Sequence, residues 1–134
     1  MSLQRDLRFG LNEEVVYKPH LEKWIGGSLK KLDCMNLFDF EVCDQKILLE
    51  LKSRRITHNK YPTTLIGENK VNYAVEKLKE GYEVYFMYNF LDGLYFVKFH
   101  NNMVNYPKRY LQRSDRSWGH HIIEISVNEL TRID

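Results

Sequence analysis

The sequence predicts a mixed α+β fold in which helices pack on the faces of one central mixed sheet. Two segments carry apolar residues at helical spacing, and several short segments carry the alternation or the aromatic runs that are typical of strands. Helical and strand segments are interspersed along the chain, which indicates one mixed layer structure. The chain has 134 residues, so we expect a single domain over residues 1–134.

The first elements are predicted from capping residues and apolar spacing. Asn12 is a suitable N-cap and Gly26-Gly27 a suitable end, which places a helix over about residues 12–25 despite one internal proline. A short edge strand is predicted over residues 29–35, before the hairpin described below.

The second half of the chain is predicted to contain one more helix and three more strands. Residues 54–66 are predicted to be a loop, and the helix over residues 68–79 ends at Gly81. Two strands, 83–90 and 94–99, are predicted to be joined around Asp92-Gly93. Residues 101–119 are predicted to be a loop, and residues 121–127 a last strand before a terminal turn.

The hairpin between residues 37 and 54 has one wholly apolar face. If Asp44-Gln45 is a two-residue turn, Phe40 lies opposite Leu49, and side chains alternate between the two faces along each strand. A slip of one residue would turn one strand's apolar side chains outward, so the pattern supports this register. The predicted core face is formed by six residues: Phe38, Phe40, Val42, Ile47, Leu49 and Leu51.

The other face of the hairpin places two carboxylates together. Asp39 lies opposite Glu50, at a Cβ separation of about 4.5–5.5 Å, and Lys52 lies two residues farther along. Carboxylates at that distance repel unless a cation lies between them, and hard oxygen ligands suit Mg²⁺ or Mn²⁺. A solvated strand face also carries such residues, but Leu48 on the same face indicates that the charges are embedded.

Residues 9–90 resemble the core of the PD-(D/E)XK nuclease superfamily. The resemblance lies in Asp39 and, after a short hairpin, Glu50-Leu51-Lys52, placed between two predicted helices. Within that range, the stretch from Phe38 to Tyr73 most resembles small phage or viral nucleases, although the proline that names the motif is absent, since Phe38 precedes Asp39. The resemblance implies the restriction-endonuclease-like αβββαβ core. It also implies a metal-dependent nuclease that hydrolyses DNA. Endonuclease activity is favoured over processive exonuclease activity, because a chain of 134 residues is too short to build a large channel by itself.

The resemblance implies roles for the hairpin residues. Asp39, Glu50 and the backbone carbonyl of Leu51 would ligate Mg²⁺, for which Mn²⁺ would substitute. Lys52 would position or help activate the attacking water.

Helix residues are implied as well. A glutamate of the first helix completes the metal site in many members, and Glu13 or Glu14 matches that place, with no basis in helical angle for choosing between them. A Gln-x-x-x-Tyr motif of the second helix is present here as Asn69 and Tyr73, with Asn in place of Gln. Lys70 is a further candidate phosphate contact.

Two basic segments are candidate nucleic-acid contacts, although each also suits a solvated surface loop. One segment directly follows the hairpin and would hold phosphates beside the metal: Arg54, Arg55, His58 and Lys60. The other interleaves basic and aromatic residues that would stack on single-stranded bases: Tyr106, Arg109, Tyr110, Arg113, Arg116 and Trp118.

Composition excludes several other classes of protein. The formal net charge of +2 is too small for binding nucleic acid by bulk attraction, so a local patch is needed. Cys34 and Cys43 suit neither a disulfide framework nor a zinc site, and His120-His121 point to opposite sides of a strand. Without a long apolar run, we expect a soluble intracellular protein with no membrane partner. A homo-oligomer stays open, as do a non-catalytic nucleic-acid-binding module and a protein-interaction domain.

Overall fold

A six-stranded mixed sheet organises the molecule in the computed structural model, which describes residues 16–32, 38–112 and 119–133. Its strands are, in sheet order, β1 (Leu29–Lys31), β2 (Phe40–Val42), β3 (Ile47–Ser53), β5 (Glu83–Phe90), β6 (Gly93–Lys98) and β9 (Thr131–Arg132). The pair β3 and β5 is parallel and every other pair of neighbours is antiparallel. The predicted mixed α+β class is therefore confirmed, as is the hairpin of β5 and β6.

A second, three-stranded antiparallel sheet was not predicted. It contains β4 (Thr63–Gly67), β7 (Lys108–Gln112) and β8 (Gly119–Ser126), with β8 in the centre. The loops predicted over residues 54–66 and 101–119 were thus wrong in part. The Thr-Thr-Leu-Ile run of β4 has strand propensity, which is realised because the distant strand β8 pairs with it.

Other predicted boundaries need smaller corrections. The first edge strand ends at Lys31, and residues 33–37 lie outside the described residues. A 3₁₀ turn, Asn101–Asn105, precedes β7. The predicted terminal turn is a 3₁₀ turn, Val127–Glu129, followed by β9, which pairs with β6 and extends the sheet.

Two helices cover the large sheet. Residues 16–25 belong to α1, which ends where Gly26 adopts a φ of 78° and donates its N–H to the Glu22 carbonyl at 2.9 Å. Helix α2 (Glu68–Lys79) has the predicted bounds and buries Val71 and Ala74. No helix among the described residues has the length and apolar character needed to cross a membrane.

Each face of the large sheet is buried under a different layer. On one face, Leu21 of α1 packs against side chains of the sheet: Leu29, Phe40, Val42, Leu49, Leu51, Met87 and Leu94. On the other face, Val71 of α2 and Ile66, Ile123 and Ile125 of the small sheet share one buried cluster with side chains of the large sheet that include Leu48, Val84, Phe86 and Tyr88. The Tyr88 hydroxyl donates to the Leu65 carbonyl at 3.2 Å, which ties the small sheet to the large one.

The hairpin of β2 and β3 has the predicted register, with Phe40 opposite Leu49. The turn is longer than predicted, because residues 43–46 all lie between the strands and Asp44 adopts a left-handed φ of 61°. Asp is one of the few side chains that tolerate this conformation.

Phe38 packs on the opposite face from the one predicted. The Asp39 N–H donates to the Leu49 carbonyl at 3.1 Å, although the register pairs Leu49 with Phe40. Alternation is therefore broken just before β2, and Phe38 turns toward α2, where its ring lies 5.3 Å from that of Tyr73. The other five members of the predicted core face pack against α1.

Candidate active site

Asp39 is fixed at the start of β2 by the backbone of β3. One carboxylate oxygen, Oδ2, accepts the Leu51 N–H at 2.8 Å, and the other, Oδ1, lies 3.4 Å from the Lys31 ammonium. The side chain is 16% exposed, so the carboxylate lies at the edge of the core rather than in bulk water. This backbone contact orients Asp39 toward the centre of β3, where Glu50 lies.

Glu50 is a buried carboxyl group that shares a hydrogen bond with Asp39. Only 3% of the residue is exposed, and the Lys70 ammonium contacts Oε2. Burial and the neighbouring Asp39 charge raise the pKa of Glu50 from 4.5 to about 8, against the opposing charges of Lys52 and Lys70. In this arrangement the carboxyl pair therefore holds a proton near neutral pH.

Lys52 follows two residues after Glu50 and points to the same side of β3. Burial lowers its pKa, and the charges of Lys70 and Arg54 lower it further, whereas Glu50 and Asp39 act in the opposite direction. The ammonium therefore gives up its proton more readily than an exposed lysine does. Such a group can hold a water molecule and can exchange a proton with it.

Lys70 reaches the site from the first turn of α2. The sequence predicts a phosphate contact for it, and the structure places its ammonium on Glu50 Oε2. This contact depends on the position of α2, which begins directly after β4 without a side-chain N-cap. One cation from a helix thus contacts the buried member of the carboxyl pair.

A cleft of about 640 Å³ opens beside these side chains. Lys52 and Lys70 contribute to its lining, together with Asn69 from the first turn of α2. The remaining lining comes mainly from the small sheet and from the start of α2: Arg54, Leu65, Ile66, Gly67, Glu68, Asn72, Leu111, His120, His121 and Ile122. Asp39 and Glu50 are not among its lining residues, so the cleft approaches the buried pair through Lys52 and Lys70.

The other predicted contacts lie at varied distances from the cleft. Arg54 lines it, whereas Arg55 is exposed and Lys60 lies over the ring of Tyr61. Tyr73 contacts Phe38 and the Lys77 ammonium instead of lining the cleft.

His58 is held at the turn between β5 and β6. Its backbone N–H donates to Asp92 Oδ1 at 2.8 Å, its ring Nδ1 contacts Asp92 Oδ2, and the ring stacks on Tyr95. These contacts give His58 a structural role, because they join the segment after β3 to the turn between β5 and β6. Glu13 and Glu14 lie outside the described residues.

The small-sheet wall of the cleft escaped prediction. Leu65, Ile122 and His120 all line it. From the sequence, Leu65 was predicted to lie in a loop, and His120 was considered only as a zinc ligand. The signal that was present is the strand-forming run of residues 63–67. Pairing across more than fifty residues of chain is what brings these positions together, and a local pattern does not report it.

The carboxylate oxygens of Asp39 and Glu50 are the type of ligand that a hard divalent cation prefers. The described part of the chain contains no group of three or more His, Cys, Asp or Glu side chains that could hold a metal ion. It does contain the carboxyl groups of Asp39 and Glu50, held together by a hydrogen bond in a poorly solvated place. A divalent cation relieves this repulsion more completely than a shared proton, because it allows both groups to ionise.

Comparison with known proteins identifies a family for this chain. The model of a protein family described as "Phage putative PDDEXK endonuclease" matches residues 9–133. Neither a curated protein nor a solved structure matches the chain. The matched range includes the hairpin, both helices and both sheets, and hence all the residues that surround the cleft.

Proposed function

The chain belongs to the phage PDDEXK endonuclease family, and from this premise we propose that it is a metal-dependent nuclease that hydrolyses phosphodiester bonds of DNA. We further propose that it cuts internally. The observation that carries the proposal is the buried Glu50 carboxyl, hydrogen-bonded to Asp39, with Lys52 on the same side of the strand. The resemblance that the motif shows to PD-(D/E)XK nucleases supports the same reading.

Asp39, Glu50 and the backbone carbonyl of Leu51 are the proposed ligands of Mg²⁺, with Mn²⁺ as a substitute. A divalent cation bound there polarises a phosphate and lowers the pKa of a bound water. Asp39 is already oriented for this role, because the Leu51 N–H holds one of its oxygens at 2.8 Å.

Lys52 and Lys70 supply the remaining functional groups. Lys52, with its lowered pKa, holds the attacking water or passes a proton at Nζ. Lys70 contacts Glu50 Oε2 in the described arrangement. When that carboxylate takes another partner, the Lys70 ammonium is within reach of a phosphate oxygen that enters the cleft, which its side chain also lines.

Negatively supercoiled, covalently closed circular DNA, which contains locally unpaired segments, tests both the activity and the internal cut. We expect nicking with Mg²⁺ or Mn²⁺, no nicking with EDTA, and loss of nicking in Glu50→Gln and Lys52→Met. Glu76→Gln is the matched control, because Glu76 is 64% exposed and lies on α2 away from the cleft lining. Lys52→Met with normal turnover would refute the proposed mechanism, and metal-independent binding without cutting would favour the non-catalytic module.

A further inference from the structure

A second cavity continues the cleft away from the carboxyl pair. It has a volume of about 540 Å³ and shares Arg54 and Leu65 with the cleft. Tyr61 lines this second cavity, and 54% of the residue is exposed. We call the two cavities together the groove; it runs from Lys52, past Arg54, to Tyr61.

One wall of the groove is the outward face of the small sheet. Side chains alternate along its strands, so that Ile66, Ile123 and Ile125 are buried against the core. The alternate set supplies most of the small sheet's contribution to the groove, to which Thr64, Ile66 and His121 also contribute: Thr63, Leu65, Gly67, Arg109, Leu111, His120, Ile122 and Glu124. The groove therefore has an extended wall with an apolar stretch, built from strands that the carboxyl pair does not need.

The opposite side of the groove is the end of β3. Glu50, Lys52 and Arg54 point the same way, and Arg54 stays in the extended ladder because its N–H donates to the Asn89 carbonyl at 2.9 Å. Alternate positions on a strand are about 6.6 Å apart. Lys52 and Arg54 therefore follow one another along this side of the groove, as contacts to a phosphate backbone require.

Charge along the groove favours a polyanion. Lys52, Lys70 and Arg54 face it, and the acidic side chains of its lining are neutralised by basic neighbours. Glu124 accepts from Arg109 Nε at 2.8 Å, and Glu68 lies 3.6 Å from the Lys108 ammonium. The remaining local charge is positive beside the proposed site of cleavage.

We infer that the groove binds an unpaired strand of DNA, with a phosphate at Arg54 and a base stacked on Tyr61. Cavities of this volume enclose molecules of nucleotide size. Exposed aromatic rings beside a basic track are the usual means of holding unpaired bases. The inference rests on the proposed function only for cleavage: single-stranded or locally unpaired DNA becomes the substrate class of the nuclease.

Binding without metal tests the groove independently of cleavage. A short labelled oligonucleotide, its duplex and an RNA strand of the same sequence are titrated with the full chain in EDTA. We expect the single DNA strand to bind at least about tenfold more tightly than the duplex. Duplex binding that is equal or tighter overturns the inference, and tighter binding of the RNA overturns the assignment to DNA.

Three variants locate the strand on the protein. Tyr61→Ala should weaken single-strand binding about tenfold, and Tyr61→Phe should not, because the ring is kept. Arg54→Gln should weaken binding and reduce the slope of log K against log salt by about 0.7, the value for one lost phosphate contact. Lys79→Gln is the charge control, since Lys79 is 68% exposed at the far end of α2.

The outcomes separate the groove from the catalytic proposal. Loss of binding in Tyr61→Ala and Arg54→Gln, with unchanged melting temperatures, supports the groove whether or not Mn²⁺ produces cleavage. Metal-dependent cleavage that prefers duplex and ignores both substitutions overturns the groove and leaves the nuclease standing. The inference about the groove is also overturned if Tyr61→Ala and Arg54→Gln bind the single strand as tightly as Lys79→Gln does.

Discussion

Glu50→Gln should stabilise the protein in the absence of metal. Burial and Asp39 raise the pKa of Glu50 from 4.5 to about 8 in the folded state. A group whose pKa is raised on folding gives its full contribution to stability below the unfolded pKa and loses that contribution as the pH rises toward the folded pKa. The native protein is therefore progressively penalised between pH 4.5 and about 8.

The size of the effect follows from the same shift. Each pH unit above the unfolded pKa costs about 1.4 kcal/mol, so the cost at pH 7 is about 3 kcal/mol. Glutamine has no proton to lose, keeps the volume of the side chain and offers an oxygen to Lys70. For a chain of 134 residues, the expected rise in melting temperature at pH 7 is about 10 °C.

Urea denaturation in EDTA at pH 5 and at pH 7 measures this difference. The free-energy gap between Glu50→Gln and the wild type should be less than about 1 kcal/mol at pH 5 and should widen at pH 7. Glu76→Gln is the control. It removes only the exposed ion pair with Lys79 (3.3 Å), so the free energy of unfolding should change by less than about 1 kcal/mol. A gap that is the same at both pH values, or a variant that is less stable than the wild type at pH 7, would refute the reasoning.

Three further predictions follow from separate features. Mn²⁺ at a hundred times its Kd should stabilise the wild type by about 2.7 kcal/mol and should stabilise Glu50→Gln less. Thermal melts measure both effects, and equal stabilisation of the two proteins counts against the metal site. Tyr88→Phe removes the donor to the Leu65 carbonyl (3.2 Å) at a buried position and should cost about 1–2 kcal/mol in urea denaturation, whereas an unchanged midpoint would contradict the tie between the sheets. The His58 hydrogen bonds lower the pKa of Asp92, so their stabilisation is present above its ordinary pKa of 3.8 and is lost as pH falls through the lowered value. Asp92→Asn should therefore be less stable than the wild type at pH 7 and equal to it in strong acid, and a constant difference across denaturation curves would disprove the assignment.

The hairpin was predictable because its information is local. Alternation along β2 and β3 fixes the register with Phe40 opposite Leu49, and the same alternation places the polar side chains of β3 together. Phe38 escaped because the break in alternation at Asp39 depends on backbone hydrogen bonding that residue types do not encode. Side-chain pattern thus determines the paired part of the hairpin but not the point at which pairing ends.

The small sheet was not predictable in the same way. Thr63–Gly67 becomes a strand only through its pairing with Gly119–Ser126, and the alternation of each segment is too short to identify its partner. The Lys70 contact with Glu50 likewise depends on where β4 delivers the start of α2. Sequence therefore predicts the carboxyl pair, whereas the cleft and the cation that faces it require the tertiary structure.

This division gives the two parts of the site different physical demands. Glu50 is expensive to bury, since a carboxyl group gains no hydrophobic free energy and its pKa rises until it retains a proton. A purely structural strand would place an apolar residue there, as β3 does at Leu48 on the same face. The small-sheet wall carries no such penalty, because its inward isoleucines stabilise the core while half-buried side chains such as Thr63, Leu65 and His120 line the groove. Substitutions in the wall should therefore alter what binds, and substitutions at Glu50 should alter stability and metal binding together.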